Sequence, residues 1–136
     1  MSATDAKAQQ GSGRPAPAVL IVDDEAATRT LLRKTVQGLY PSARINEASN
    51  GETALSIART ARPDLVLLDI VLPGSETSGV LVCQELTKTR IPVLIVSGNA
   101  GGPILDACLS LGAADILRKP FTIEDAQAKI KACLGG

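Results

Sequence analysis

The chain has 136 residues, a length that favours one domain with a sizeable core. Lys plus Arg number 14 and Asp plus Glu number 14, so the formal charge is zero, which argues against a broad basic field for nucleic acid or an anionic membrane. Histidine is absent, which removes Ser-His and Cys-His catalysis, His-ligated zinc and a histidine pH switch.

Met1 to Pro17 contain no Val, Ile, Leu or aromatic residue, and include Gly-Ser-Gly and two prolines. Such a segment buries too little to offset its ordering entropy, so a disordered tail is expected over 1–17 and the ordered domain over 18–136. From there short apolar runs alternate with amphipathic stretches. The runs are Ala18–Val22, Ala43–Glu47, Leu65–Leu68, Pro92–Val96 and Ala113–Leu117; the spacing predicts helices near 25–39, 51–61, 79–88, 102–111 and 123–134. Asn50 is the expected N-cap of the second helix, with Ala54, Leu55, Ile57 and Ala58 on its apolar face. Pro63, Pro92 and Pro103 mark connections.

Leu, Ile and Val supply 36 residues against one Phe, one Tyr and no Trp, so the core must be aliphatic. Strands written as continuous aliphatic runs are usually parallel and covered by helices on both faces. Five β-then-α units in succession predict a doubly wound α/β sheet, and an eightfold barrel would need nearly twice the chain. The longest apolar run, Ala18–Val22, is far too short to span a bilayer. The N-terminus has no apolar signal core with a basic flank, and a cytoplasmic location is expected. Cys83, Cys108 and Cys133 are odd in number, widely spaced and set among apolar neighbours, and read as buried free thiols.

In an open parallel sheet, ligands bind beyond the carboxyl ends of the strands. The polar residues at the exits of the runs are Asp23, Asp24 and Glu25 after the first, Asp69 after the third, Ser97 after the fourth, and Lys119-Pro120, just past Arg118, after the fifth. Each has an ordinary alternative: a helix N-terminus favours Asp24 and Glu25, a turn favours Asp69, and Ser97 and Lys119 could be solvated. Their conjunction is more informative. If the first and third strands are neighbours, three carboxylates share one pocket, and two of them about 4 Å apart repel by about 4 kcal/mol at an effective dielectric of 20. A hard divalent cation resolves this, and the all-oxygen set suits Mg²⁺. A metal beside a carboxylate nucleophile, a lysine and a hydroxyl is equipment for phosphoryl transfer.

Asp23-Asp24 after VLIV, Asp69 closing DLVLLD, Leu72-Pro73, Ser97 after PVLIV, and Lys119-Pro120-Phe121 resemble the receiver domain of bacterial two-component response regulators. Glu47 to Glu52 and Leu111 to Asp115 add to the resemblance, which covers about 18–134. It implies a flavodoxin-like sheet of order 2-1-3-4-5, and a phosphoryl group received on Asp69 from a sensor histidine kinase or a histidine phosphotransfer protein. It further implies Mg²⁺ held by Asp23, Asp24, Asp69 and the backbone carbonyl of Val71, with Ser97 and Lys119 on the phosphoryl oxygens and a cis Lys119–Pro120 bond. A receiver of this kind is no enzyme beyond its own aspartyl phosphorylation and dephosphorylation, and it passes the signal to a downstream protein.

Ile116 stands where the family usually carries an aromatic ring, so switching is expected to run through the backbone of Gly98–Asp106. The Pro73–Gly79 loop reads as slightly long. Three rival readings make different demands on these residues. An aspartate-nucleophile phosphatase needs an acid-base Asp where Val71 stands. A nucleotide-binding module needs a glycine-rich loop that the first strand exit lacks. A degenerate receiver would act as a phosphorylation-independent interaction module. Only two residues follow Leu134 in the given sequence, so no DNA-binding output domain is expected within it, and no direct contact with nucleic acid or membrane is expected.

Overall fold

The computed structural model describes residues 16–73, 78–98 and 101–135. Most of the expected 1–17 tail, the middle of the Pro73–Gly79 loop and two residues of Gly98–Asp106 lie outside the described residues. Strands and helices alternate: β1 (Ala18–Val22), α1 (Ala26–Leu39), β2 (Arg44–Ala48), α2 (Gly51–Ala61), β3 (Leu65–Leu68), α3 (Gly79–Lys88), β4 (Val93–Ser97), α4 (Gly102–Ser110), β5 (Asp115–Arg118) and α5 (Ile123–Cys133). All pairings are parallel, in the order β2-β1-β3-β4-β5. This is the doubly wound, flavodoxin-like sheet expected.

The two-residue period of a strand divides the aliphatic runs between two cores. Val19, Ile21, Leu65, Leu67, Leu94 and Val96 pack against Leu32 and Val36 of α1 and Ala126 and Ile130 of α5. Leu20, Val22, Val66, Leu68, Val93 and Ile95 pack against α2, α3 and α4 through Ala54, Ala58, Val82, Leu86 and Leu105. Each fully buried aliphatic side chain contributes roughly 1.5–3 kcal/mol.

Burial on both faces holds for β1, β3 and β4 but not for the edge strands. In β2 only Ala48 is buried, and in β5 only Leu117. An edge strand has one neighbour and one open flank, so polar residues are tolerated there. Boundaries also move by a residue or two. Pro92 cannot donate to a ladder, so β4 begins at Val93 and takes in Ser97. Gly112, at φ +113°, turns the chain, and β5 begins at Asp115.

Asn50 caps α2 as expected, accepting from the Thr53 N–H at 2.8 Å; Ser78 and Thr122 cap α3 and α5 in the same way. At Gly79 a side chain would collide with the Ile70 backbone, so α3 starts hard against the end of β3. Cys83 and Cys108 are buried as expected, with burial pushing the Cys83 thiol up to about 12. Cys133 is a correction: it is only half-buried, because α5 ends there at the rim of its core. Among the described residues no helix is long and apolar enough to cross a membrane.

Candidate functional site

Because β1 and β3 are paired, their exits lie side by side, and each is locked by the ladder. The Asp23 N–H donates to the Ala48 carbonyl at 3.1 Å, and the Asp69 N–H to the Val22 carbonyl at 2.9 Å. Oxygens of Asp23, Asp24 and Asp69 come within 4.8 Å of one another. Asp23 and Asp69 are buried, whereas Asp24 is exposed.

Lys119 leaves β5, with its N–H on the Ser97 carbonyl at 3.1 Å, and sends its ammonium back across the edge of the sheet. Its Nζ donates to Asp23 Oδ2 at 2.8 Å and to Asp69 Oδ2 at 3.0 Å. The remaining oxygens are also engaged: Asp23 Oδ1 accepts from the Glu25 N–H at 2.9 Å, and Asp69 Oδ1 from the Val71 N–H at 3.0 Å. The Lys119–Pro120 bond is cis, as the resemblance implied.

Three carboxylates against one ammonium leave an excess of negative charge in a partly dry pocket. Burial pushes the Asp69 carboxyl above its ordinary value, outweighing the Val71 N–H and Lys119, which act the other way. Burial also works against the charge on Lys119, but the Asp23 and Asp69 carboxylates prevail and hold its pKa above the usual lysine value. The predicted need for counter-charge is thus met in part from within the chain. The rest suits a hard cation, since the free valences here are all oxygen.

Ser97, the last residue of β4, is 1% exposed. Among the described residues its Oγ has no hydrogen-bond partner. A buried hydroxyl left so costs roughly 1–3 kcal/mol, and such a group marks a place where a ligand oxygen fits. Val71 is exposed on the loop beside Asp69, and Pro120 is exposed after Lys119. Ile116 is not brought into this group. It is half-buried against the core shared with α2, α3 and α4.

A second polar cluster adjoins the site and went unread in the sequence. Arg29 Nε donates to Glu47 Oε1 at 3.0 Å, and Arg33 Nε to Glu47 Oε2 at 2.8 Å. Arg29 Nη1 also donates to the Asp23 carbonyl at 2.7 Å. Arg33 leads the causes that hold Glu47 below the usual carboxylate range, against burial and with help from Arg29. The available signal was two arginines four apart on α1, facing the one acidic residue of β2. A pocket lined by Thr87, Arg90, Gly112 and Cys133 lies at the opposite edge of the sheet, away from these groups.

Residues 19–131 match the family described as the response regulator receiver domain. The chain is 36% identical over 118 residues to the alkaline phosphatase synthesis transcriptional regulatory protein PhoP of Bacillus subtilis, covering 85% of this chain and 48% of that protein. It is 36% identical over 114 residues to a protein-glutamate methylesterase/protein-glutamine glutaminase of Treponema pallidum, covering 82% of this chain and 28% of that protein. The chain thus spans about half or less of the length of these relatives. Among solved structures, the receiver domain of NtrX from Brucella abortus superposes with a TM-score of 0.78 at 28% identity, covering 85% of this chain and 97% of that one. A putative response regulator from Chloroflexus aurantiacus superposes with a TM-score of 0.77 at 28% identity, covering 90% and 100%.

Proposed function

The chain belongs to the response regulator receiver family, and from that premise we propose that Asp69 is the residue that accepts the phosphoryl group. The family's role is that of phosphoacceptor in two-component signalling, and the acidic cluster that role requires is present here. The observation that carries the assignment is the setting of Asp69. It is buried between the Val71 N–H and the Lys119 ammonium, at the edge of the sheet where the unpartnered Ser97 hydroxyl also ends its strand.

Burial strips water from the Asp69 carboxylate and raises its basicity, which suits a nucleophile. One Asp69 oxygen forms the bond to phosphorus as the phosphorus–nitrogen bond of a phosphohistidine donor breaks, and the electron pair leaves on the imidazole nitrogen. Lys119 sits beside the oxygen that becomes phosphorylated and attracts the incoming negative charge. The Ser97 hydroxyl has a hydrogen bond to give to a phosphoryl oxygen. Asp23, Asp24, Asp69 and the Val71 carbonyl would hold Mg²⁺, which when bound would supply positive charge against the negative phosphoryl oxygens.

The donor in this reading is a sensor histidine kinase or a histidine phosphotransfer protein in the cytoplasm. The phosphorylated unit is residues 18–136, with 1–17 as a tail, and it catalyses no reaction beyond its own modification and hydrolysis. Phosphorylation adds roughly 1.5 to 2 negative charges. Ser97 and Lys119 are drawn to them, and Gly98, where an added side chain would crowd the Lys119 side chain, moves with them. With Ile116 in place of a ring, the change passes through the Gly98–Asp106 backbone to the face of α4, β5 and α5, where a downstream protein reads it.

Incubation with Mg²⁺ and a small acyl phosphate tests the assignment by intact mass and hydroxylamine sensitivity. One hydroxylamine-labile phosphoryl group is expected on the wild type and none on Asp69→Ala. An adduct that survives in Asp69→Ala overturns the assignment.

A further inference from the structure

Asp23 and Asp24 differ in how they are held. Asp23 is buried and fixed at every polar group: its N–H by Ala48, its carboxylate by Glu25 and Lys119, its carbonyl by Arg29. Asp24 is exposed, yet its carboxylate lies in the cluster with Asp23 and Asp69. What aims an exposed side chain is the backbone that carries it. The peptide plane joining Asp23 to Asp24 includes the Asp23 carbonyl, and rotation of that plane swings Asp24 away from its partners. The one side chain donating to that carbonyl among the described residues is Arg29, at 2.7 Å.

Arg29 is itself held. Its Nε is fastened to Glu47 at 3.0 Å, and Glu47 is steadied from its other oxygen by Arg33 at 2.8 Å. Arg29 and Arg33 are four residues apart on α1, and Glu47 is on β2, so the triad spans two elements that pack on either side of the β1 exit. A planar guanidinium can serve a carboxylate and a carbonyl at once with fixed geometry, which a lysine ammonium does poorly. Resting on the reading of this pocket as a Mg²⁺ site, we propose that Arg29 is a positioning residue: by holding the Asp23–Asp24 peptide it places the Asp24 carboxylate for the metal, with Glu47 as its anchor.

Charge and position pull in opposite directions here, which makes the proposal decidable. Arg29 carries a positive charge near the acidic pocket, so if it acted only through its field, Arg29→Met would tighten Mg²⁺ binding. If it acts by position, Arg29→Met weakens Mg²⁺ binding by about tenfold, the usual scale for losing a group that orients a metal ligand. Arg33→Met is the matched control, because Arg33 shares Glu47 but does not touch Asp23. It should lower thermal stability yet leave Mg²⁺ affinity within about twofold. Arg29→Lys keeps the charge and should recover only part of the lost affinity.

The experiment is calorimetric titration with Mg²⁺ alone on the full chain, with circular dichroism to confirm folding. The Asp24 amide resonance is followed beside it as a reporter of the held peptide plane. Weakened binding and a displaced Asp24 resonance in Arg29→Met, with neither in Arg33→Met, support the proposal. Equal or tighter binding in Arg29→Met overturns it, as does full affinity in Arg29→Lys should Arg29→Met fail to fold. If the wild type shows no saturable Mg²⁺ binding, or Asp24→Asn binds as the wild type does, the metal-site reading itself fails and the role of Arg29 falls with it.

Discussion

At the scale of single residues, Ser97 is the clearest case of a side chain kept for something other than stability. Its hydroxyl is buried without a partner among the described residues, in a strand otherwise made of Val, Leu and Ile. Alanine removes the unmet polar group and fills nearly the same space. Ser97→Ala is therefore expected to leave the stability of the unphosphorylated, metal-free protein unchanged or raise it by about 1 kcal/mol, while lowering phosphoryl accumulation on Asp69. Denaturant titration beside the mass assay checks both parts. A loss of stability greater than about 1 kcal/mol would show that the hydroxyl has a partner in the resting protein. Asp23, Asp69 and Ser97 were legible in the sequence because a polar residue breaks off an aliphatic run, and Lys119 because a Lys-Pro pair lies just past the last run. Arg29 was not, since one arginine on the polar face of an amphipathic helix looks like any other until the helix is docked.

Two elements carry the loads that set the site. The first is the α1–β2 contact through Glu47. A carboxylate whose folded pKa is depressed contributes stability that is fully present above its unfolded value, about pH 4.3 for glutamate, and lost as pH falls through the folded value. Glu47→Gln is thus expected to lower stability at neutral pH by about 1 kcal/mol, the scale of two partly exposed ion pairs. The gap between variant and wild type should close as the solution is acidified below about pH 4. Unfolding curves at a series of pH values read this directly; a gap that widens on acidification gives Glu47 the wrong sign. The second is the start of α3. A methyl at Gly79 has the Ile70 backbone in its way, and backbone at a strand end cannot yield as a side chain does. Gly79→Ala should cost about 3 kcal/mol or more in denaturant unfolding. A near-neutral result would mean that α3 is free to slide away from β3.

For the whole molecule, the acidic edge of the sheet is a standing cost that a cation relieves. Any ligand that binds only the native state adds RT ln(1 + [L]/Kd), about 2.7 kcal/mol at one hundred times Kd. Mg²⁺ should therefore raise the melting temperature of the wild type. Asp23→Asn combined with Asp24→Asn should abolish that rise, and the metal-free double variant should melt no lower than the wild type because like charges have been removed. Thermal melts with and without Mg²⁺ decide it. A double variant that still gains stability from the metal would place the cation elsewhere.

What the sequence determined by itself was local. Short aliphatic runs set against amphipathic stretches of 3.6-residue period sorted five strands from five helices, and the abrupt ends of those runs marked the edge that carries the chemistry. Those signals are written within a few residues and survive without knowledge of the neighbours. The tertiary structure decided everything that joins distant segments. Strand order places β1 between β2 and β3, so Asp23 meets Asp69 on one side while Glu47 and Arg29 brace it on the other. It also sends Lys119 from the edge strand β5 across to both carboxylates, and it makes β2 and β5 edges free to carry charge. Strand order follows from how each crossover helix packs back on the sheet, a property of paired surfaces with no counterpart in any single run of residues.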